Sequence, residues 1–136
     1  MRALRAALLV VSFSLAVCGN SFGSAGAETK PLPKEAYETI AQLKKAAQGN
    51  DFAKLRSLMV DEFTWSFGGD VDANQAINAW RKDKRYLAEL QATLKSGCHK
   101  TERNKINCPS KGGFDFRAGL VKTKAGWRME YFVEGD

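Results

Sequence analysis

The sequence predicts a single α+β domain in which helices pack on one face of an antiparallel sheet. Three observations support this fold class. The length of 136 residues suits one domain. Apolar residues recur at helical spacing in the first part of the chain and alternate with polar residues in the last third. Hydrophobic residues make up 44% and charged residues 26%, which excludes disordered, collagen-like and multi-span membrane chains.

The segment 1–27 has the pattern of a cleaved export signal. Arg2 and Arg5 precede the uncharged run 6–17, and the segment ends in Ala-Gly-Ala. A positive start, a short apolar run and small residues before the cleavage point are typical of a secretory signal peptide. The run is too short to span a membrane. We expect cleavage after Ala27 and a periplasmic or secreted protein. Because the segment carries two arginines and no acid, its removal lowers the net charge from +6 to +4.

Cys18 offers an alternative cleavage point. The stretch Leu15-Ala16-Val17-Cys18 is similar to a bacterial lipobox, in which the cysteine is acylated and becomes the first residue. The position before that cysteine is normally Gly, Ala or Ser, so Val17 favours the signal-peptide interpretation. Lipidation at Cys18 would attach the protein to a membrane. Both alternatives place it outside the cytoplasm, in a bacterial envelope.

Cys98 and Cys108 remain after the signal is removed, and we expect them to form a disulfide. They lie ten positions apart, and an oxidising compartment pairs such thiols across a hairpin centred near Arg103. Closing this loop stabilises the fold by about 3 kcal/mol in the chain-entropy model. The alternative is a redox pair. We expect no metal, because the chain has no C-x-x-C motif and His99 is its only histidine.

Three helical patterns follow an extended lead-in at 28–34, and the domain is expected to cover 35–136. The patterns cover residues 35–48, a short stretch after Asp51, and residues 73–95. The third is either one helix or two helices with a break at 81–85. Asp51 and Asp72 are suitable N-terminal caps.

Alternating apolar and polar residues predict strands in the remaining segments. These are the aromatic segment 63–67, a hairpin at 98–108, and two strands at 114–120 and 127–133 joined by a tight turn. In the last strand, Trp127, Met129 and Tyr131 are predicted to share one face.

This order of elements resembles the nuclear-transport-factor-2-like superfamily, the cone-shaped fold shared by ketosteroid isomerase. The resemblance covers about residues 35–134 and rests on three segments. They are Asn50-Asp51-Phe52, Phe63-Thr64-Trp65-Ser66-Phe67 and Gly126-Trp127-Arg128-Met129-Glu130-Tyr131-Phe132. It implies a curved sheet of about four to five strands with a cavity under the helices, and a homodimer through the sheet. Cystatin-like and other α+β arrangements stay open.

Aromatic side chains are the candidate ligand-binding residues of that cavity. They are Trp65, Trp80, Phe116, Trp127 and Tyr131. Aromatic walls suit a ligand pocket, and the same side chains also suit the core of a small domain. No catalytic residue is predicted, because no catalytic motif or phosphate-binding glycine loop is present. By strand position, Asp115 and Tyr131 are the candidates for an acid–base pair, and Asp115 points away from the cavity if Phe114 and Phe116 face it.

The candidate basic surface consists of Arg81, Lys82, Lys84 and Arg85, interrupted by Asp83. Such a cluster could bind a lipid headgroup, a wall polymer or an acidic protein, and the alternative is a solvated helix face. Nucleic acid is not an expected partner, because the chain is predicted to be exported and carries no recognition motif.

The leading hypothesis is a non-catalytic envelope module that binds a small molecule or an envelope protein without a cofactor, through the aromatic concave face of the sheet. One alternative is a small lyase- or isomerase-like enzyme that uses the cavity. Another is an envelope assembly or accessory protein that acts through the basic surface. An enzyme should hold a desolvated acid in the cavity, a ligand binder an open apolar cavity, and an interaction module a filled interior with an exposed patch.

Overall fold

The computed structural model describes residues 30–66, 68, 71–113 and 115–135. The predicted export signal and Cys18 lie outside these residues. None of the helices in the described ranges is long and apolar enough to cross a membrane.

Helices occupy the first part of the described chain and strands the last part. The elements are α1 (Lys34–Gln48), α2 (Phe52–Ser57), β1 (Met59–Thr64), α3 (Ala73–Lys82), α4 (Arg85–Lys95), β2 (His99–Glu102), β3 (Lys105–Cys108), β4 (Phe116–Thr123) and β5 (Gly126–Glu134). The helical pattern at 73–95 is two helices, one of the two expected arrangements. The aromatic strand predicted at 63–67 instead runs over Met59–Thr64, because Met59 pairs with Met129 of β5, and Trp65 lies beyond its end.

The described strands form one five-stranded sheet in the order β1-β5-β4-β3-β2. Strands β2 to β5 form the predicted antiparallel meander, and β1 joins the edge of the sheet parallel to β5. Helices α1, α3 and α4 contact β5, β1 and β4. The predicted α+β class, with helices packed on a curved sheet, is confirmed, and the arrangement is consistent with the nuclear-transport-factor-2-like cone.

Two aspartates cap helices as predicted. The Asp51 carboxylate accepts a hydrogen bond from the Lys54 backbone N–H at 2.9 Å. The Asp72 carboxylate accepts from the backbone N–H groups of Asn74 and Gln75, at 2.6 and 3.1 Å. These bonds satisfy donors that have no partner in the first turn of a helix, so they fix where α2 and α3 begin.

The predicted disulfide between Cys98 and Cys108 is confirmed, with the two Cα atoms 4.3 Å apart. It ties the start of β2 to the end of β3. Cys108 is buried on the side of the sheet that the helices cover. The next pair along this hairpin is His99 with Asn107, which therefore projects to the opposite side.

A β-bulge at Glu130 changes the predicted alternation of β5. Met129 pairs with Leu120 while Tyr131 pairs with Gly119, so Glu130 is an extra residue in the ladder. Met129 is buried under the helices, and beyond the bulge Phe132 takes the buried position. The prediction that Tyr131 shares a face with Trp127 and Met129 was wrong. Its side chain lies on the opposite side of the sheet, because one inserted residue exchanges the two faces.

Candidate functional site

The helix-covered side of the sheet contains a continuous series of aromatic contacts. The rings are, in order of contact, Phe63, Trp80, Phe132, Phe116 and Tyr86. Their centroids lie 5.1–6.1 Å apart, and every pair is edge-to-face except the stacked Phe116–Phe132 pair. These are favourable packing geometries for aromatic side chains. Trp80 and Phe116 are therefore core residues in contact with Phe132, and their role in ligand binding stays a prediction.

The other two predicted tryptophans lie apart from this cluster. Trp127 pairs with Lys122 beside the β4–β5 turn, whereas Phe116 pairs with Glu134 at the other end of the same two strands. Trp65 follows β1 and is half-buried against the core. The indole Nε1 atoms of Trp65 and Trp127 are enclosed and have no hydrogen-bond partner among the described residues. The five candidate residues thus do not meet in one pocket.

The described residues place no acid or base inside the helix-covered space. Their buried polar side chains are Thr39 and Thr93. Asp115 is exposed. Tyr131, the predicted partner of Asp115 in an acid–base pair, lies on the other side of the sheet. The arrangement that the enzyme hypothesis required is therefore not formed by these residues.

The side of the sheet that the described helices leave uncovered, called here the open face, carries a row of residues across all five strands. Thr64 pairs with Tyr131, Tyr131 with Gly119, Gly119 with Asn107, and Asn107 with His99. Paired residues on neighbouring strands project to the same face. A hydroxyl, a phenol, an amide and an imidazole are thereby brought together by strands that are distant in sequence.

Gly119 allows the Tyr131 ring to lie over the centre of the sheet. A β-carbon at this position would lie 2.5 Å from Cζ of Tyr131 and 2.6 Å from Cδ1, and closer still to Cε1. The ring therefore crosses β4 in the direction of Asn107. Burial raises the pKa of the Tyr131 hydroxyl, the Glu130 carboxylate raises it further, and the Arg117 guanidinium acts in the opposite direction. The hydroxyl is consequently neutral at pH 7.

Three depressions formed by described residues converge on Tyr131. Two of them, of about 290 and 360 Å³, also share Asn107 and Arg117. The third, of about 620 Å³, extends along β1 and β5 in the other direction. Tyr131 is the only predicted cavity residue that lines any of these three depressions.

The charged residues divide the open face into two ends. The acidic end consists of Asp61, Glu62 and Glu130, and the basic end consists of His99, Lys111 and Arg117. At the acidic end, Arg56 Nη2 lies 2.5 Å from an Asp61 oxygen, and Lys105 Nζ lies 3.1 Å from both oxygens of Glu130. Ion pairs thus neutralise much of the acidic charge.

The basic end lacks comparable internal partners. Among the described residues, Arg117 and Lys111 form no ion pair, and the enclosed Nδ1 of His99 has no hydrogen-bond partner. Nδ1 is the kind of buried polar atom that is normally satisfied in a folded protein. The basic end therefore presents donors and positive charge without an acceptor supplied by the described chain.

The predicted basic surface lies elsewhere, at the α3–α4 corner. Arg81, Lys82, Lys84 and Arg85 are all exposed there. The Arg81 guanidinium lies 5.3 Å from the Phe52 ring centroid. The Arg85 guanidinium lies 5.7 Å from the Tyr86 ring centroid and 3.5 Å from an Asp83 oxygen. Lys82 and Lys84 form no ion pair within the described ranges.

Sequence reasoning missed the open-face row, although two signals for it exist. If Cys98 faces Cys108, the antiparallel geometry also places His99 opposite Asn107 on the other face. A glycine inside a predicted strand, such as Gly119, often marks a close approach of another group. The bulge that brings Tyr131 into the row has no comparable signal in the sequence.

No protein-family model matches the chain, and no curated protein matches it in sequence. Similar solved structures include a nuclear-transport-factor-2-like protein of unknown function from Shewanella oneidensis (11% identity, 75% of this chain and 97% of that one, TM-score 0.49). A Shewanella frigidimarina protein provisionally assigned as a ketosteroid isomerase is similar at 16% identity, over 73% and 93% of the chains, with TM-score 0.47. A cystatin-like-fold protein from Novosphingobium aromaticivorans has 20% identity, coverages of 74% and 79%, and TM-score 0.45.

Proposed function

We propose that the protein is a non-catalytic binding module of the bacterial cell envelope that engages another envelope protein through the open face of its sheet. The observation that carries the proposal is the row from Thr64 to His99. Its centre, Tyr131, lies where three depressions meet, and no described helix covers it. The aromatic side of the sheet, by contrast, is occupied by ring contacts within the described core.

The charges of the open face favour an acidic partner. The basic end has unpaired donors, whereas the acidic end is largely neutralised by Arg56 and Lys105. Complementary charge steers association and fixes the orientation of a partner. The confirmed disulfide supports an oxidising compartment, which agrees with the predicted export and with a partner in the envelope.

A second copy of the chain is a second candidate partner, favoured by the position of opposite charges at the two ends of one face. A twofold axis that lies parallel to the strands would place the basic end of one copy over the acidic end of the other. Such an interface is self-complementary, as the closed symmetry of a dimer requires.

Native mass spectrometry of the protein purified from its own envelope fraction tests both candidates. We expect a complex with a protein-sized added mass in the wild type and in Asn78→Glu, an exposed change on α3. Asn107→Glu introduces an acid beside Arg117 and should abolish the complex. An added mass equal to one further copy would identify the dimer. The proposal fails if Asn107→Glu retains the complex, or if the wild type carries no protein partner.

A further inference from the structure

We infer that the basic end of the open face is a carboxylate-binding subsite formed by His99, Asn107 and Arg117, with Tyr131 as one wall. This inference rests on the proposed function, and it names the chemical group of the partner that is recognised. The expected ligand is the carboxylate of an acidic side chain that the partner protein presents.

The register of the sheet brings these groups together. Asn107 lies on β3 opposite Gly119, His99 lies opposite Asn107 on β2, and Arg117 lies on β4 two residues before Gly119. Side chains two residues apart on a strand share a face. Because Gly119 has no side chain, the space between these groups is bounded instead by the Tyr131 ring.

The Arg117 side chain is exposed, and its guanidinium lies beside the backbone of Gly135. Its Nε and Nη2 atoms lie 2.7 and 2.8 Å from the point where a β-carbon on Gly135 would stand. Among the described residues, no acid lines either of the two depressions that Arg117 lines, and the exposed Asp115 is not among their lining residues. A guanidinium with free N–H groups binds a planar carboxylate through two parallel hydrogen bonds.

Polar side chains complete the set. The Asn107 amide and the Tyr131 hydroxyl have no hydrogen-bond partner within the described ranges, and the enclosed Nδ1 of His99 also lacks one. A polar group that is partly removed from water without a partner carries a free-energy penalty, which a ligand oxygen relieves. The subsite therefore combines the Arg117 guanidinium with polar side chains that can hydrogen-bond to a ligand, an arrangement that favours a carboxylate.

The test is a titration of the ¹⁵N-labelled, disulfide-bonded protein followed by NMR, with succinate as the probe and uncharged succinamide as the control at equal ionic strength. We expect saturable shifts of the Arg117 Nε–H and Asn107 side-chain amide signals with succinate alone. Arg117→Gln should raise the dissociation constant at least tenfold, whereas Arg103→Gln, which removes an exposed charge at the β2–β3 turn, should leave it within twofold.

Two further probes test whether the carboxylate comes from a protein side chain or a small molecule, and whether the ligand is a carboxylate or a phosphate. The blocked tripeptide acetyl-Gly-Asp-Gly-amide should shift the same signals and its Asn counterpart should not, which identifies a protein side chain as a ligand. Shifts with succinate but not with the tripeptide would assign the subsite to a small free carboxylate. Binding of inorganic phosphate more tightly than succinate would overturn the carboxylate class.

The inference fails if succinamide produces equal shifts, or if Arg103→Gln weakens binding as much as Arg117→Gln. The latter result would indicate diffuse attraction by the net charge. Failure of this inference is distinguishable from failure of the proposed function. Succinate binding without a protein-sized complex in the native mass spectrum would retain the subsite and reject the protein partner. A protein-sized complex without succinate binding would retain the protein partner and reject the subsite.

Discussion

Gly119→Ala should destabilise the fold through its contact with one side chain, the Tyr131 ring. The new β-carbon would lie 2.5 Å from Cζ of Tyr131, so the ring must leave the centre of the sheet. Tyrosine buries about 200 Å² when packed, and exposing the half-buried ring removes about 100 Å² of contact, or about 2.5 kcal/mol. Alanine is better than glycine in a strand by about 0.5–1 kcal/mol. The net cost is therefore about 2 kcal/mol.

A double-mutant cycle with Tyr131→Ala measures this contact directly. For a domain of this size, about 2 kcal/mol lowers Tm by roughly 8–16 °C. In the Tyr131→Ala background, Gly119→Ala should instead be neutral or stabilising, because the atoms that it meets are gone. Urea denaturation followed by far-UV circular dichroism gives the four free energies of unfolding.

Gly112→Ala is the matched control for this cycle, since a β-carbon there meets no atom within 4 Å. Its free energy of unfolding should change by less than about 0.5 kcal/mol, as surface substitutions usually do. Equal destabilisation by Gly119→Ala with and without the Tyr131 ring would refute the reasoning, because the cost would then come from the backbone.

Four other predictions concern the core, the disulfide, a helix cap and a titration. Trp80→Ala should cost about 3–5 kcal/mol in urea denaturation, because it removes the ring between two edge-to-face partners. Replacing Cys98 and Cys108 together by serine should cost about 2–4 kcal/mol, and the reduced wild type should match the variant. Asp72→Ala should cost about 1 kcal/mol in the same assay, because two backbone donors lose their acceptor. The raised pKa of Tyr131 stabilises the fold below pH 10, and this stability is lost as pH rises through the folded-state pKa. A spectrophotometric titration should show one phenol that ionises at higher pH than the others, and Tyr131→Phe should remove that phase.

Much of the fold could be predicted from local patterns. Asp51 and Asp72 marked the helix starts because a carboxylate satisfies first-turn N–H groups whatever lies elsewhere in the chain. Cys98 and Cys108 identified a hairpin because a short loop and a covalent bond restrict the geometry. Each of these predictions depends on residues that are close in sequence.

The open face could not be predicted in the same way, because its register depends on strand pairing over long distances. The extra residue at Glu130 moves Tyr131 to the opposite side of β5, and alternation alone does not reveal a bulge. Met59, an apolar residue after a short helix, fits a helix or a strand until its pairing with Met129 is known. The same aromatic pattern could line a pocket or fill a core, and only the ring contacts of Trp80 and Phe116 distinguish these alternatives.

Site-specific photocross-linking in the native envelope tests the central claim most directly. Tyr131 and Tyr37 are each replaced by the photoreactive residue p-benzoylphenylalanine, which carries a benzoyl group in place of the tyrosine hydroxyl. Tyr37 is 54% exposed on α1 and lies away from the open face, so it controls for random encounters. We predict one defined cross-linked protein from position 131 and none from position 37. Cross-links at position 37 alone, equal labelling at both positions, or no adduct at position 131 would contradict the assignment of the open face as the binding surface.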